Sequence, residues 1–380
     1  MNHVTGRVLW TAMMAFLCRI SSAQPDPARQ IDAWFRGTIS AHSPGAAVLV
    51  VKDGRPVFQR GYGVSDLRTL DRIDEHTNFR LASLTKQFTA MAVMLLVHDG
   101  KLRYEQSLTE IFPGFPAYGK SITIRNLLNH TSGLPDYEQL MAKQYGDLAD
   151  DRIPQIKDAG VLALLERAST TSFPAGTKWK YSNSGYCLLA MVVEKVSGKS
   201  FGEFLQERIF ARLGMTHTLA YEKGKNQVAH RAYGHTLEGG HWRETDQSST
   251  SATLGDGGVY TSLTDLVHWD EALGEHTLLS EEEIEPALSA VEPTSGPARE
   301  TDGRLVSYGF GWFLEPYRGH ARMWHYGETV GFRTAIQRFP DDSLTVIVLS
   351  NRADLDAPAL ALKVADLYLK PRLSSDSTVS

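Results

Sequence analysis

Apolar residues recur at two different periods along this chain, and the changes of period lay out its elements. Helical spacing is expected over 31–38, after a short Pro-containing stretch. Two extended apolar runs follow, 46–51 and 56–62, flanking Asp53 and Gly54, a dipeptide that favours a two-residue hairpin turn. Residues 84–98 are apolar almost all round, from Phe88 through Val97, which predicts a helix lying in the interior. Helical spacing then dominates: 125–129, 156–168, 185–196 and 201–213, with Gly198 and Gly214 as stops. The connections 134–155 and 221–250 are polar and Gly-rich and read as loops of the kind that shape substrate clefts.

The last third changes character again. Helices are expected at 264–274 and 281–290, then a Pro/Gly-rich linker at 292–303. Strands are expected at 307–314, 322–326, 329–339 and 343–350, with Asp341 and Asp342 turning the last pair, and a covering helix at 355–369. The first hairpin and the last strands are of one type, so they are paired here into a single antiparallel sheet. The fold class is therefore α/β (α+β): an antiparallel sheet flanked by helices, with an inserted all-helical lobe. The sheet lobe would take about 30–75 and 255–370, the helical lobe about 76–254, and 371–380, rich in Ser, would be a disordered tail.

Composition narrows the function. A net charge of -5 with no long basic run argues against nucleic-acid binding, and 380 residues suffice for one large core or two lobes. Arg7, the apolar run 8–18 and the small residues Ser21, Ser22 and Ala23 read as a secretory signal removed after residue 23. A periplasmic or secreted protein without a membrane anchor is expected, since that run is too short to span a bilayer. Cleavage would leave Cys187 alone, a small core residue within an apolar run.

Three short motifs carry the chemistry. Ser83 and Lys86 stand three residues apart, so on a helix the hydroxyl and amine share a face, pairing a nucleophile with a base. Ser83 is expected at the N-cap end of its helix. Lys86 can act as base only if burial or a neighbour destabilises its ammonium. Tyr181 and Asn183 offer a phenol and an amide that point one way from an extended segment, and His325 offers an imidazole two residues before Gly327. Together they describe an acyl-transfer site. A second His-x-Gly, at His98, reads as a helix end, and His130 reads as a turn residue bonded to backbone. No histidine or cysteine cluster has metal-ligand spacing, no cofactor motif is present, and no Gly-x-Ser-x-Gly elbow occurs.

These motifs, with their flanks, resemble the penicillin-recognising serine hydrolases: class C β-lactamases, D-alanyl-D-alanine carboxypeptidases, D-aminopeptidases and related esterases. The supporting stretches are 79–86, 127–134, 174–186, Gly257 and Gly258, 308–312 and 325–332, so the resemblance runs from about residue 30 to about 370. It implies an acyl-enzyme on Ser83, with Lys86 and Tyr181 as general base. Asn183 would orient Lys86 or bind the substrate amide, and His325 would act at the leaving-group side. The backbone N–H groups of Ser83 and Glu328 would form the oxyanion hole, with Gly327 beside them where substrate approaches closely.

One departure bears on substrate. Relatives that cleave penicillins and peptides carry hydroxyl-bearing residues around the His/Lys-x-Gly motif to hold a carboxylate, whereas this chain has Tyr326 and Glu328. An acidic group repels a carboxylate unless Arg333 or Arg352 neutralises it. The resulting expectation is an exported serine hydrolase of small esters, amides or peptides, with carboxypeptidase or class C-type β-lactamase action as alternatives. A catalytically silent sensor or scaffold module is the alternative of another class.

Overall fold

The computed structural model describes residues 26–372; the expected signal segment 1–23 and residues 373–380 of the expected tail 371–380 lie outside the described residues. Helix α1 (Pro27–Thr38) starts where the Asp26 carboxylate accepts the Ala28 N–H and Pro27 presets the first turn. Strands β1 (Ala46–Lys52) and β2 (Arg55–Tyr62) are joined through Asp53 and Gly54, both at positive φ as the predicted turn requires. After β3 (Phe79–Arg80) come helices α2 (Lys86–His98), α3 (Leu108–Ile111), α4 (Ile124–Leu128), α5 (Tyr137–Tyr145), α6 (Asp158–Glu166) and α7 (Asn183–Ser197). Helices α8 (Phe201–Leu205) and α9 (Ala211–Leu213) are joined by a π-type turn, so the expected helix 201–213 is present but widened and under-wound in its middle.

Strand β4 (Leu219–Ala220), the hairpin β5 (His235–Glu238) and β6 (His241–Glu244), and β7 (Val259–Thr261) precede helices α10 (Leu263–Glu275) and α11 (Glu281–Leu288). The chain closes with β8 (Met323–Thr329), β9 (Phe332–Phe339), β10 (Leu344–Ser350) and α12 (Ala357–Ala365). The main sheet has the order β2-β1-β10-β9-β8, every pair antiparallel, which joins the first hairpin to the last strands as expected.

Strand periodicity sorts the side chains of this sheet between two cores. Ala47, Leu49, Ile347 and Leu349 face the large core with α2 and α7, whereas Ala46, Val48, Val346 and Val348 face α1 and α12. Being covered on both faces, β1 and β10 read as continuous apolar runs. Helix α2 is buried on every side, as its composition predicts.

Three expectations change. The segment 307–314 is not a strand: the chain folds back at Gly309 and Gly311 so that Tyr308 bridges Phe313. Gly311, at φ +77°, crosses the backbone of Lys86, where a Cβ would sit 2.9 Å from the Lys86 carbonyl oxygen. The segment 134–155 carries α5, capped by Asp136, and 221–250 carries the β5–β6 hairpin; neither is plain loop. The region 76–254 is mainly helical, and β3, β4 and that hairpin are its added strands.

Candidate active site

Ser83 lies in a 3-10 turn (Ala82–Thr85) that leads into α2, with no side-chain cap at either residue preceding these helices. It is therefore not the N-cap that the sequence suggested, and its hydroxyl is not consumed by the backbone. The turn is held from two sides. The Leu81 N–H donates to the Val259 carbonyl (2.9 Å), and Thr334 Oγ1 donates to the Leu81 carbonyl (2.8 Å). Ala82 takes φ +50°, a region costly for a residue with a Cβ, and this one residue re-aims the chain immediately before Ser83.

Lys86, the first residue of α2, is 0% exposed. Its Nζ makes three hydrogen bonds: to Ser83 Oγ (3.0 Å), Asn183 Oδ1 (2.9 Å) and the Asp256 carbonyl (3.0 Å). All three acceptors are uncharged, and the rings of Tyr181 and Tyr186 lie 4.9 and 5.4 Å away. Burial pulls its pKa down to about 8, against smaller opposing pulls from Asp256, Cys187 and Glu138. The positive end of α2 disfavours the cation in the same direction.

Tyr181 and Asn183 arrive together at the start of α7, whose N-cap, Ser182, accepts the Gly185 N–H. Burial pushes the Tyr181 phenol well above its ordinary pKa, offset in part by its hydrogen bond with Ser83, so the ring carries its proton near neutral pH. Behind it stands His130, at φ +64° and fully buried, with its ring 4.4 Å from that of Tyr181. Its Nδ1 accepts the Ser182 N–H (3.1 Å), which places any ring proton on Nε2 and agrees with a turn residue bonded to backbone. Burial holds its pKa well below the usual histidine value.

His325 lies on the edge strand β8 and is also fully buried. Its Nδ1 is 2.7 Å from the Tyr326 carbonyl, which only accepts, so Nδ1 carries the proton and Nε2 accepts from the Tyr308 hydroxyl (3.1 Å). Burial depresses its pKa to about 3, so the imidazole is neutral throughout the physiological range. Both nitrogens are engaged, and its ring lies 6.1 Å from that of Tyr181. Tyr308, which the sequence placed only on an expected strand, is the group through which this histidine meets the tyrosine cluster. The close approach at Gly327 is made by the protein itself: a Cβ there would lie 2.2 Å from the Leu81 carbonyl oxygen.

Ser83 opens onto a small cleft lined by Arg80, Tyr137, Glu138, Asn183, Asp256 and Glu328, among others. Glu328 is exposed there. Neither arginine proposed to neutralise it does so: Arg333 donates to the carbonyls of Val330 and Phe332, and Arg352 pairs with Asp354. Arg80 donates to the carbonyls of Gly257 and Ser251. Burial, then Asp136 and Asp256, raise the Glu138 pKa above its ordinary value, against pulls from Asn183 and Lys86. Sequence reasoning missed Glu138 because it lies in a segment read as loop. The signal was present: Asp136 as a cap, with Tyr137, Leu140, Met141 and Tyr145 at helical spacing. Among the described residues no cluster suited to holding a metal occurs, and no helix is long and apolar enough to cross a membrane.

The Asp256 carbonyl that meets Lys86 is itself held in place. Asp158, 5% exposed at the start of α6, accepts the N–H groups of Leu254 (2.8 Å) and Gly255 (3.1 Å). Asp158→Ala is expected to lower unfolding free energy by about 2–4 kcal/mol, because two buried N–H groups lose their acceptor. A chemical melt within about 0.5 kcal/mol of wild type contradicts this. Burial raises the Asp158 pKa to about 7, with Asp256 adding to the rise. The folded chain thus keeps a proton that the unfolded chain loses near 3.8, and this group makes stability fall as pH rises from about 4 to 7. Asp158→Asn should remove that slope.

Comparison with known proteins gives the family. The family described as Beta-lactamase matches residues 28–369. The chain is 33% identical over 342 residues to penicillin-binding protein 4* of Bacillus subtilis (strain 168), covering 86% of this chain and 73% of that one. It is 29% identical over 327 residues to a D-aminopeptidase of Brucella anthropi, covering 83% of this chain but only 58% of that enzyme's length. Among solved structures, the octameric penicillin-binding protein homologue from Pyrococcus abyssi superposes with a TM-score of 0.75 at 24% identity, covering 89% of this chain and 76% of that one. The chain therefore belongs to the Beta-lactamase family and is a serine hydrolase of the penicillin-binding-protein-related kind.

Proposed function

We propose that this serine hydrolase works through an acyl-enzyme on Ser83, with Lys86 as general base and Tyr181 as a neutral proton carrier. The observation that carries this reading is the buried Lys86 ammonium, 3.0 Å from Ser83 Oγ and bonded to no carboxylate. Once deprotonated, Lys86 Nζ takes the Ser83 proton as Oγ attacks the substrate carbonyl. The oxyanion is received by the N–H groups of Ser83 and Glu328, the latter on an edge strand that leaves alternate N–H groups unpaired. Tyr181, protonated and close to Ser83, hands a proton to the departing amine or alkoxide and is re-protonated from Lys86. Water then attacks the acyl carbonyl by the same route in reverse order and releases Ser83. His325, neutral and bonded to Tyr308, fixes the tyrosine cluster and supplies no charge.

The cleft favours a substrate with a free amine near the scissile bond. Glu138, Asp256 and Glu328 line it against one arginine, Arg80, whose Nε and Nη2 donate to backbone carbonyls. Amides or short peptides with an amino-terminal amine, and small neutral esters, fit this charge; a substrate carboxylate does not. The D-aminopeptidase relative supports the same class. Export, with the mature chain beginning at Gln24, belongs to the proposal, and intact mass of the protein recovered from the periplasm or medium tests it.

A pH profile tests the base. Lys86 must lose its proton to act, so kcat/KM should rise with pH through an apparent value of about 8 that belongs to the Lys86–Ser83–Tyr181 cluster. A profile flat from about pH 5 to 9 contradicts the proposal.

A further inference from the structure

A cavity much larger than the Ser83 cleft lies elsewhere in the molecule. It opens on another face of α2, between that helix, α10, α11 and the ends of β8, β9 and β10, and has a volume of about 490 Å³. That lies within the range of small-molecule sites. Its inner wall is apolar and adaptable: Met91, Met94, Trp269, Trp312 and Met323 are all buried, and thioether side chains adjust to differently shaped ligands. Its mouth carries Leu288, 43% exposed.

Two polar features give this cavity a chemical preference. Gln87, 4% exposed, lies on its wall, and the indole N–H of Trp269 donates to Gln87 Oε1 (3.0 Å). An indole N–H only donates, so this bond fixes which end of the amide is oxygen and leaves Nε2 as the outstanding donor. That Nε2 is buried and has no partner among the described residues. A buried N–H without an acceptor is destabilising, so a ligand oxygen here would satisfy a donor that the fold leaves open. At the rim, Glu271 and Glu275 are exposed one turn apart on α10, beside Asp53 and His276. The one arginine of the lining, Arg338, is bound to Asp270 (2.8 Å), and Asp53 is paired with Lys52.

We propose that this cavity is a second ligand site, for a small amphiphile with an apolar body, a carbonyl oxygen received by Gln87 Nε2 and a cationic end at Glu271 and Glu275. The site is separate from the Ser83 cleft, and its assignment does not depend on the proposed mechanism. Trp269 and Trp312 in its wall make occupancy visible as a change in intrinsic fluorescence.

The test uses the full mature chain with Ser83→Ala, so that no probe is hydrolysed, and titrates four probes below their micellar concentrations: N-(2-aminoethyl)octanamide, octanamide, octylamine and octanoate. The aminoamide should bind most tightly and octanoate least. Gln87→Leu should weaken the aminoamide and octanamide about tenfold, the effect of one hydrogen bond, and leave octylamine within about twofold. Glu271→Gln with Glu275→Gln should weaken only the two amines. Leu288→Trp, at the exposed mouth, should weaken every probe and serves if Gln87→Leu does not fold. Absence of saturable binding by the aminoamide, octanoate binding as tightly as it, or undiminished binding to folded Leu288→Trp overturns the assignment.

Discussion

Ser83→Ala, Lys86→Ala and the double variant are expected to lose kcat/KM by similar factors, on the order of 10³ or more. The reason is geometric. Lys86 Nζ reaches Ser83 Oγ directly, so removing either partner abolishes the same proton transfer and the second substitution has little left to remove. Lys86→Ala also leaves Asn183 Oδ1 and the Asp256 carbonyl without their shared donor, so its folding should be checked by thermal melt beside Ser83→Ala, which keeps that donor. Losses that multiply across the double variant would mean that the two residues act separately.

The second large effect concerns substrate charge. Glu138→Gln is expected to lower kcat/KM for a D-amino-acid p-nitroanilide, relative to p-nitrophenyl acetate, by about tenfold or more. A unit charge about 4 Å from another contributes roughly 1–4 kcal/mol between effective dielectrics of 80 and 20, and 1.36 kcal/mol is tenfold. Glu138 and Glu328 are both exposed, so Glu328→Gln should shift the same ratio in the same direction, and both effects should shrink at high salt. Ratios unchanged within about twofold in both variants would remove the carboxylates from substrate recognition and return the choice of substrate to neutral esters.

Much of this was legible in the residues, for identifiable reasons. The β1–β2 hairpin could be read because Asp53 and Gly54 supply two positive-φ positions between apolar runs, and α2 because almost every residue in it is apolar. That the first hairpin and the last strands share one antiparallel sheet followed from pairing strands of like composition; the order within it did not. Ser83, Lys86, Tyr181 and Asn183 were legible as a set because short motifs preserve local spacing, and the fold brings the two motifs to within hydrogen-bonding distance at Lys86. What stayed hidden depends on contacts distant in sequence. Strand 307–314 failed because aromatic alternation also suits a glycine-broken turn, and only the crossing over Lys86 explains Gly311. The neutral state of His325 is set by burial and then by the nearby Lys86 charge, neither of which a tripeptide motif records. Asp158 looks like a surface acid at a helix start although it is buried, Glu138 lies in a segment read as loop, and Ala82 gives no sign of its positive φ.

The central claim is that Ser83 becomes acylated. Incubating the native protein with a fluorophosphonate and measuring peptide masses tests it most directly. One adduct on the peptide containing Ser83, absent from Ser83→Ala, is the expected result; an unmodified native protein, or an adduct retained in Ser83→Ala, would contradict it.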